Sequence, residues 1–428
     1  MKFNLTSLDL KLVYISSVLI ILMPFFLVTG PFLSDFFLVI MILFLFYLTI
    51  NKKITELTKY KKFFFFFLFL NVVFIISSLV SNFPLISLKS SVFYFRFYLF
   101  SFFIFIIFSL KENLKKSFFY FLLFLFLILI FDCFYQYYFK FNIIGQKLIS
   151  NRASSFFGSE LVLGGFLFRF LPLLLSLCIF TWKLDNNKKI GNKKEFFFIF
   201  TLICLVDLAI IFTGERTAMV LIIVFKILIL IFIPILRKVF FFNILFIFLT
   251  FGFLIKNESN LRVIQDTKKY TIINILDKNF RPYTTEHQEL FLTAIKMGQH
   301  NLLFGVGPNN FRNLCNEIKY KEERRFSCST HPHNFYLQLF AEGGILSLLL
   351  LTFLFCFATK ILIINNSKTK NVKSECKLNE FKMILLGVLC NILPISTSGN
   401  FFNNWLNINI YISVGFLLLS YSKLKKNI

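Results

Sequence analysis

Charge is scarce in this sequence: only 16% of its 428 residues are Asp, Glu, Lys or Arg, against roughly a quarter in soluble domains. That deficit excludes a soluble globular chain. The 57% hydrophobic share excludes intrinsic disorder. Acids are the scarcer sign, 21 against 46 Lys and Arg. No Asp-x-Asp pair occurs anywhere, so the pattern that holds a divalent cation beside a sugar phosphate is missing. Finger-like cysteine spacing is missing too. A cleavable leader is not expected, because the apolar block after Lys11 lacks a small-residue cleavage site and is closely followed by another block.

What fills the chain instead is apolar sequence, with 67 Phe and a mean hydropathy of +0.76. Blocks of about 20 residues recur from end to end, each long enough to cross a hydrocarbon core of ~30 Å. The formal charge of +25 could indicate a nucleic-acid partner. In a membrane chain it reports topology, since cytoplasmic loops collect Lys and Arg, and no nucleic acid is expected.

The expectation is an all-α polytopic membrane protein of about twelve transmembrane helices. The spans fall near 12–29, 33–50, 63–81, 91–110, 118–139, 161–182, 196–213, 218–236, 239–255, 345–364, 383–398 and 406–421. Lysine clusters such as Lys52, Lys53, Lys59, Lys61 and Lys62 lie at every second junction, which puts both termini inside. Three regions follow: a membrane region of about nine spans (1–255), one large outside loop between spans nine and ten (256–344), and a membrane region of about three spans (345–428).

All four histidines, His287, His300, His331 and His333, lie in that loop. Groups suited to proton transfer near pH 7 thus gather at one membrane face, although histidines avoid lipid in any case. Pro332 suits a first helical turn. A helix from Pro332 would place His333 at its positive end, which favours neutral imidazole. It would also align Asn334, Gln338 and Glu342 on one polar face. A zinc site from His331 and His333 would need a third ligand such as His287 or Glu342, and no metal is expected.

Arg216 lies in the turn Gly214-Glu215-Arg216-Thr217 between spans seven and eight, amid apolar sequence. An arginine there is costly unless paired or functional. It either clamps phosphate oxygens through its planar fork or pairs with Glu215. Arg152 and Arg169 are further candidates, and Arg96 could snorkel to the interface. The large loop, Arg312 included, holds more Lys and Arg than acids. That suits an anionic ligand or merely a solvated basic face. Cys315 and Cys328 are the only cysteines of that loop and could pair in an oxidising compartment. Such closure would bring Arg324 and Arg325 near His331.

Two stretches carry a resemblance. They are Phe304-Gly305-Val306-Gly307-Pro308-Asn309-Asn310-Phe311-Arg312 and His331-Pro332-His333-Asn334-Phe335-Tyr336-Leu337-Gln338-Leu339-Phe340-Ala341-Glu342-Gly343-Gly344. The second resembles the His-Asn-x-Tyr-Leu…Glu-x-Gly signature of the O-antigen ligase/polymerase superfamily of bacterial glycosyltransferases. Its glycines stand adjacent here, a departure from the usual spacing. Thr213 to Ala218 resembles that family's outward turn with a functional arginine. The resemblance implies a GT-C-like plan in the bacterial inner membrane with a periplasmic active site, and neither metal nor cofactor. It implies an undecaprenyl-diphosphate-linked glycan as donor, with His333, His331 and Arg216 catalytic. Arg216, Arg152 and Arg312 would hold the donor diphosphate. The leading expectation is an O-antigen ligase using the lipid A–core oligosaccharide as acceptor. A polymerase of lipid-linked repeats is the alternative. A flippase, the reading from another class, would need charged residues lining a path within the spans.

Overall fold

The computed structural model describes residues 2–3, 5–51, 54–55, 60–184, 193–257, 261–267, 283–321, 326–364 and 372–425. Arg324 and Arg325 fall outside them. The described residues are mainly helical; one short antiparallel pair joins Lys2–Phe3 to Ile54–Thr55, with Lys2 facing Thr55, and isolated bridges join Phe141 to Lys147 and Ile149 to Arg152. The helices are α1 (Ser7–Thr29), α2 (Pro31–Ile50), α3 (Lys61–Leu79), α4 (Pro84–Ser91), α5 (Phe95–Leu110), α6 (Leu114–Phe139), α7 (Leu163–Trp182), α8 (Lys193–Thr213), α9 (Arg216–Phe232) and α10 (Arg237–Asn257). Then come α11 (Arg262–Thr267), α12 (Thr285–His300), the single turn α13 (Phe311–Leu314), α14 (Phe335–Ile364), α15 (Val372–Asn391) and α16 (Asn404–Lys425).

Apolar runs of this length form helices because lipid offers no partner for a free backbone N–H or C=O. Ten helical segments among the described residues are long and apolar enough to cross a membrane, with α4 and α5 counted as one, Pro84–Leu110. This is a multi-pass membrane protein. Two of the twelve expected spans are not among the ten. Helix α9 has 17 residues, about 26 Å at 1.5 Å per residue. Helix α15 carries Lys377, Glu380 and Lys382 and begins at Val372, well before the expected start near 383.

Phenylalanine supplies the packing. Helix α5 buries nearly its whole surface, with Phe100, Phe103 and Phe108 fully enclosed, against α16, α2 and α1. Several charges inside the bundle come in pairs, which lowers the cost of placing them there. Lys226 Nζ lies 2.6 Å from Asp207, whose other oxygen accepts from Asn243 at 2.8 Å. Lys115 pairs with Glu380, and Arg96 meets Asp35 at 3.2 Å. Arg96 is therefore an ion-pair partner, not a free snorkelling side chain.

Helix α14 bends at Gly344, whose φ of 71° is left-handed. The turn before the bend packs on α12. There Leu290, Ala294, Met297, Val306, Phe311, Leu314, Tyr320 and Ala341 form a second, smaller core. Cys315 is bonded to Cys328 at its edge, Cα–Cα 5.1 Å.

Candidate active site

The histidine segment is not the first turn of a helix. Helix α14 starts at Phe335, and Asn334 caps it: its Oδ1 accepts from the N–H groups of Tyr336 and Leu337, both at 3.0 Å. His333 stands just outside that cap with φ 59°, a left-handed conformation that interrupts a right-handed helix. The expected start at Pro332 is therefore corrected by three residues. Non-glycine residues held this way cost about 1–3 kcal/mol and cluster at functional sites.

The same bend brings three imidazoles together. The rings of His331 and His333 are 4.0 Å apart between centroids, and His287, from the first turn of α12, lies 5.3 Å from His333. Thr284 caps α12 and shares a 2.7 Å hydrogen bond with His287 Nδ1, and Thr330 holds His331 Nδ1 at 2.9 Å. His331 Nε2 is buried, and the Ser398 backbone beside the ring favours its protonated form. Burial first, then the neighbouring imidazoles and arginines, drives His287 down to about 4 and His331 to about 3. Burial also lowers His333, against the Ser398 backbone hydrogen bond and then Glu286, which favour its protonated form. All three are neutral at pH 7. His300 lies apart, against the Tyr320 ring.

Arg216 acts electrostatically on His287, so the outward turn and the histidine motif share one site. Four arginines meet at that turn. Arg152 donates from Nε to the Thr213 carbonyl at 2.9 Å and from its fork to Leu161 at 3.4 Å. A Cβ on Gly214 (φ +66°) would sit 3.1 Å from Arg152 and 3.4 Å from Arg262. Arg169 reaches the same place from within α7. Glu215 does not serve as a simple turn partner of Arg216. Its carboxylate caps α7, accepting from Gly164 and Gly165 at 2.6 and 2.9 Å. A Cβ at Gly164 would meet Thr213 Oγ1 at 2.6 Å and one at Gly165 the Arg169 guanidinium at 2.5 Å, with Glu215 next in both cases.

The segment 304–312 lies along the start of α14. Val306 and Gly307 donate to the carbonyls of Ala341 and Glu342 at 2.9 and 2.8 Å. The Glu342 carboxylate accepts from the Phe311 N–H and Gln338 Nε2, both at 2.9 Å. Glu342 and Gln338 are thus buried props of the site. Arg312 is exposed, and its charge reaches His331 and Glu342. The adjacent glycines have separate reasons. Gly344 is the bend, where a Cβ would meet the Leu303 carbonyl at 2.3 Å, and Gly343 is crowded by Ser347.

Sequence reasoning missed a third support, the turn 393–403 between α15 and α16. Ser398 donates to the His333 carbonyl at 2.8 Å, and Asn334 Nδ2 donates to Pro394 and Ser396. Thr397 bonds to Thr217, beside Arg216. Asn400 accepts from Gln338 at 2.8 Å and donates to Asn309 at 2.8 Å. The signal was its run of Ser, Thr and Asn without a single charge, unusual between two spans. Among the described residues no three His, Cys, Asp or Glu side chains are arranged to hold a metal ion.

This geometry of neutral imidazoles beside clustered guanidiniums suits deprotonation of a hydroxyl next to a departing phosphate. Residues 199–352, which run from α8 through the arginine turn and the histidine motif, match the family model described as O-antigen ligase. The match supports the O-antigen ligase superfamily and a ligase/polymerase-type enzyme. No curated protein matches the chain.

Proposed function

We propose that this protein is an O-antigen ligase. It moves a glycan from undecaprenyl diphosphate to the lipid A–core oligosaccharide at the periplasmic face of the inner membrane. The carrying observation is the meeting of the His287–His331–His333 cluster with the arginine turn, two motifs far apart in sequence.

His333 takes the proton of the acceptor hydroxyl as its oxygen bonds to the anomeric carbon of the donor. The bond from that carbon to the diphosphate oxygen breaks, and undecaprenyl diphosphate leaves with the electron pair. Arg216, with Arg152 and Arg312, stabilises the charge that grows on the diphosphate. Glu342, Gln338 and Asn334 hold the base in place. The three-region division expected at 256 and 344 fits this reading, with the loop supplying the base and Arg312, and the region 1–255 supplying Arg152 and Arg216.

A strain lacking the protein tests the reading. It should accumulate full-length polymer on the lipid carrier while its lipid A–core stays bare. Accumulation of single lipid-linked repeats would instead identify a polymerase.

A further inference from the structure

A polar cavity of about 470 Å³ opens beside the turn 393–403, with Asn400 in its wall. Its volume lies in the range of small-molecule sites. Three features of its wall belong together. Two cations line it, Lys89 and Arg96, and no acid does. Asp35 stands behind Arg96 at 3.2 Å, so one carboxylate answers two positive charges. The Arg96 guanidinium is held over the ring of Phe97, another lining residue, 5.0 Å from its centroid.

Four amides, Asn309, Asn400, Asn403 and Asn404, line it at fixed positions. Asn309 Nδ2 donates to Ser90 at 2.5 Å, Asn404 Nδ2 to Asp35 at 3.5 Å, and Asn403 Oδ1 accepts from the Leu406 N–H at 3.0 Å, each amide keeping a second N–H or lone pair. Two of them hold each other, Asn400 donating to Asn309 at 2.8 Å. Aromatic faces complete the wall: Phe93, Phe402 and Trp405. The Trp405 indole N–H donates to the Leu27 carbonyl at 2.8 Å and its ring packs against Phe157 and Phe166, which fixes it where it lines the cavity. Paired amides, a fixed indole and excess positive charge together match a sugar ring bearing an acid group. A lipid tail would not need the amides, and a bare phosphate would not need the aromatic faces.

The geometry points to a subsite for an acidic sugar of the acceptor, in the cavity lined by Lys89, Arg96, the four asparagines and Trp405. The inference rests on the glycosyl-transfer reading and extends it to the acceptor's chemistry. The turn 393–403 runs from the arginine side, at Thr397, past His333, held by Ser398, to the cavity wall at Asn400. Donor diphosphate and acceptor sugar would then flank the same base.

Trp405 gives a direct readout, because the chain has only two tryptophans and Trp182 lies at the end of α7 remote from the cavity. The full-length Trp182→Phe protein in lipid nanodiscs is titrated with trigalacturonate, glucose 6-phosphate and neutral maltotriose while Trp405 emission is followed. A saturable change with an acidic probe and none with maltotriose is expected. Lys89→Gln, at an exposed position, should weaken that binding roughly tenfold through loss of a charge-assisted contact, and Arg96→Gln at least as much. A response to glucose 6-phosphate over trigalacturonate would identify the acid as phosphate. No saturable change with either acid, equal binding of maltotriose, or unchanged affinity in Lys89→Gln would overturn the assignment. Binding is read without turnover, so this result is independent of whether transfer occurs.

Discussion

Protonation decides what the histidine cluster can do. The three rings share one buried space, and each charge added there raises the cost of the next. A base must be neutral to accept a proton, and burial holds His333 below its ordinary value of 6.5. Transfer should therefore be highest at alkaline pH and reach half its maximum only below 6.5, as the base becomes protonated. A pH–rate profile checks this, and a half-maximal point at or above 6.5 would contradict the buried cluster. Arg216 lowers the neighbouring His287, so Arg216→Gln should raise that imidazole, visible as a shifted titration of its ring proton by NMR. Removing the guanidinium should also cost about 10²–10³-fold in transfer, by analogy with lost oxyanion donors. Arg216→Lys should be impaired too, since it keeps the charge and loses the fork. Native-rate transfer by Arg216→Ala would reduce the turn to a structural role.

Helix ends and bends set the geometry around those residues. Asn334 was legible in sequence as a neighbour of the histidine, but not as the cap that pushes His333 out of the helix. Pro332 was a plausible first-turn residue; the left-handed φ at His333 depends on Ser398, from a distant turn, and no local pattern carries that. The glycines of 304–312 were legible as a motif and unexplained until their contacts were seen. Gly305 has φ +65°, and a Cβ there would lie 2.5 Å from the Glu342 backbone. Gly305→Ala should thus push 304–312 off α14, lower the thermal midpoint and depress transfer with it. An unchanged midpoint would mean that the segment has room to move. The Cys315–Cys328 bond closes a short loop, sequence separation 13, beside the small core. Closure of such a loop is worth roughly 3 kcal/mol in the chain-entropy model. Cys315→Ser should lower the midpoint of the native protein and abolish its sensitivity to reductant, as followed by thermal unfolding with and without a reducing agent.

At the scale of the whole molecule, apolar blocks and lysine punctuation made the multi-span helical plan readable, because lipid leaves a long apolar segment few alternatives to a helix. The span count was less readable. Helix α9 is short and α15 keeps charges such as Glu380, whose partner Lys115 lies far away in sequence. Two pairs within the spans, Asp207–Lys226 and Lys115–Glu380, are buried and close on one another. An exporter would instead need them open along a path. The account requires the segment near residue 290 to face the periplasm with the C-terminus inside, and reporter fusions at those two places should give opposite signals. A cytoplasmic signal at 290 would sink the mechanism. The central claim is transfer itself, with His333 as base. Purified protein in liposomes, given a labelled undecaprenyl-diphosphate glycan and lipid A–core, should yield the covalent product. His333→Ala should insert normally and lose about 10²–10⁴-fold in rate. Native-like product formation by His333→Ala across pH 5 to 9, or none by the unaltered protein, would contradict the account.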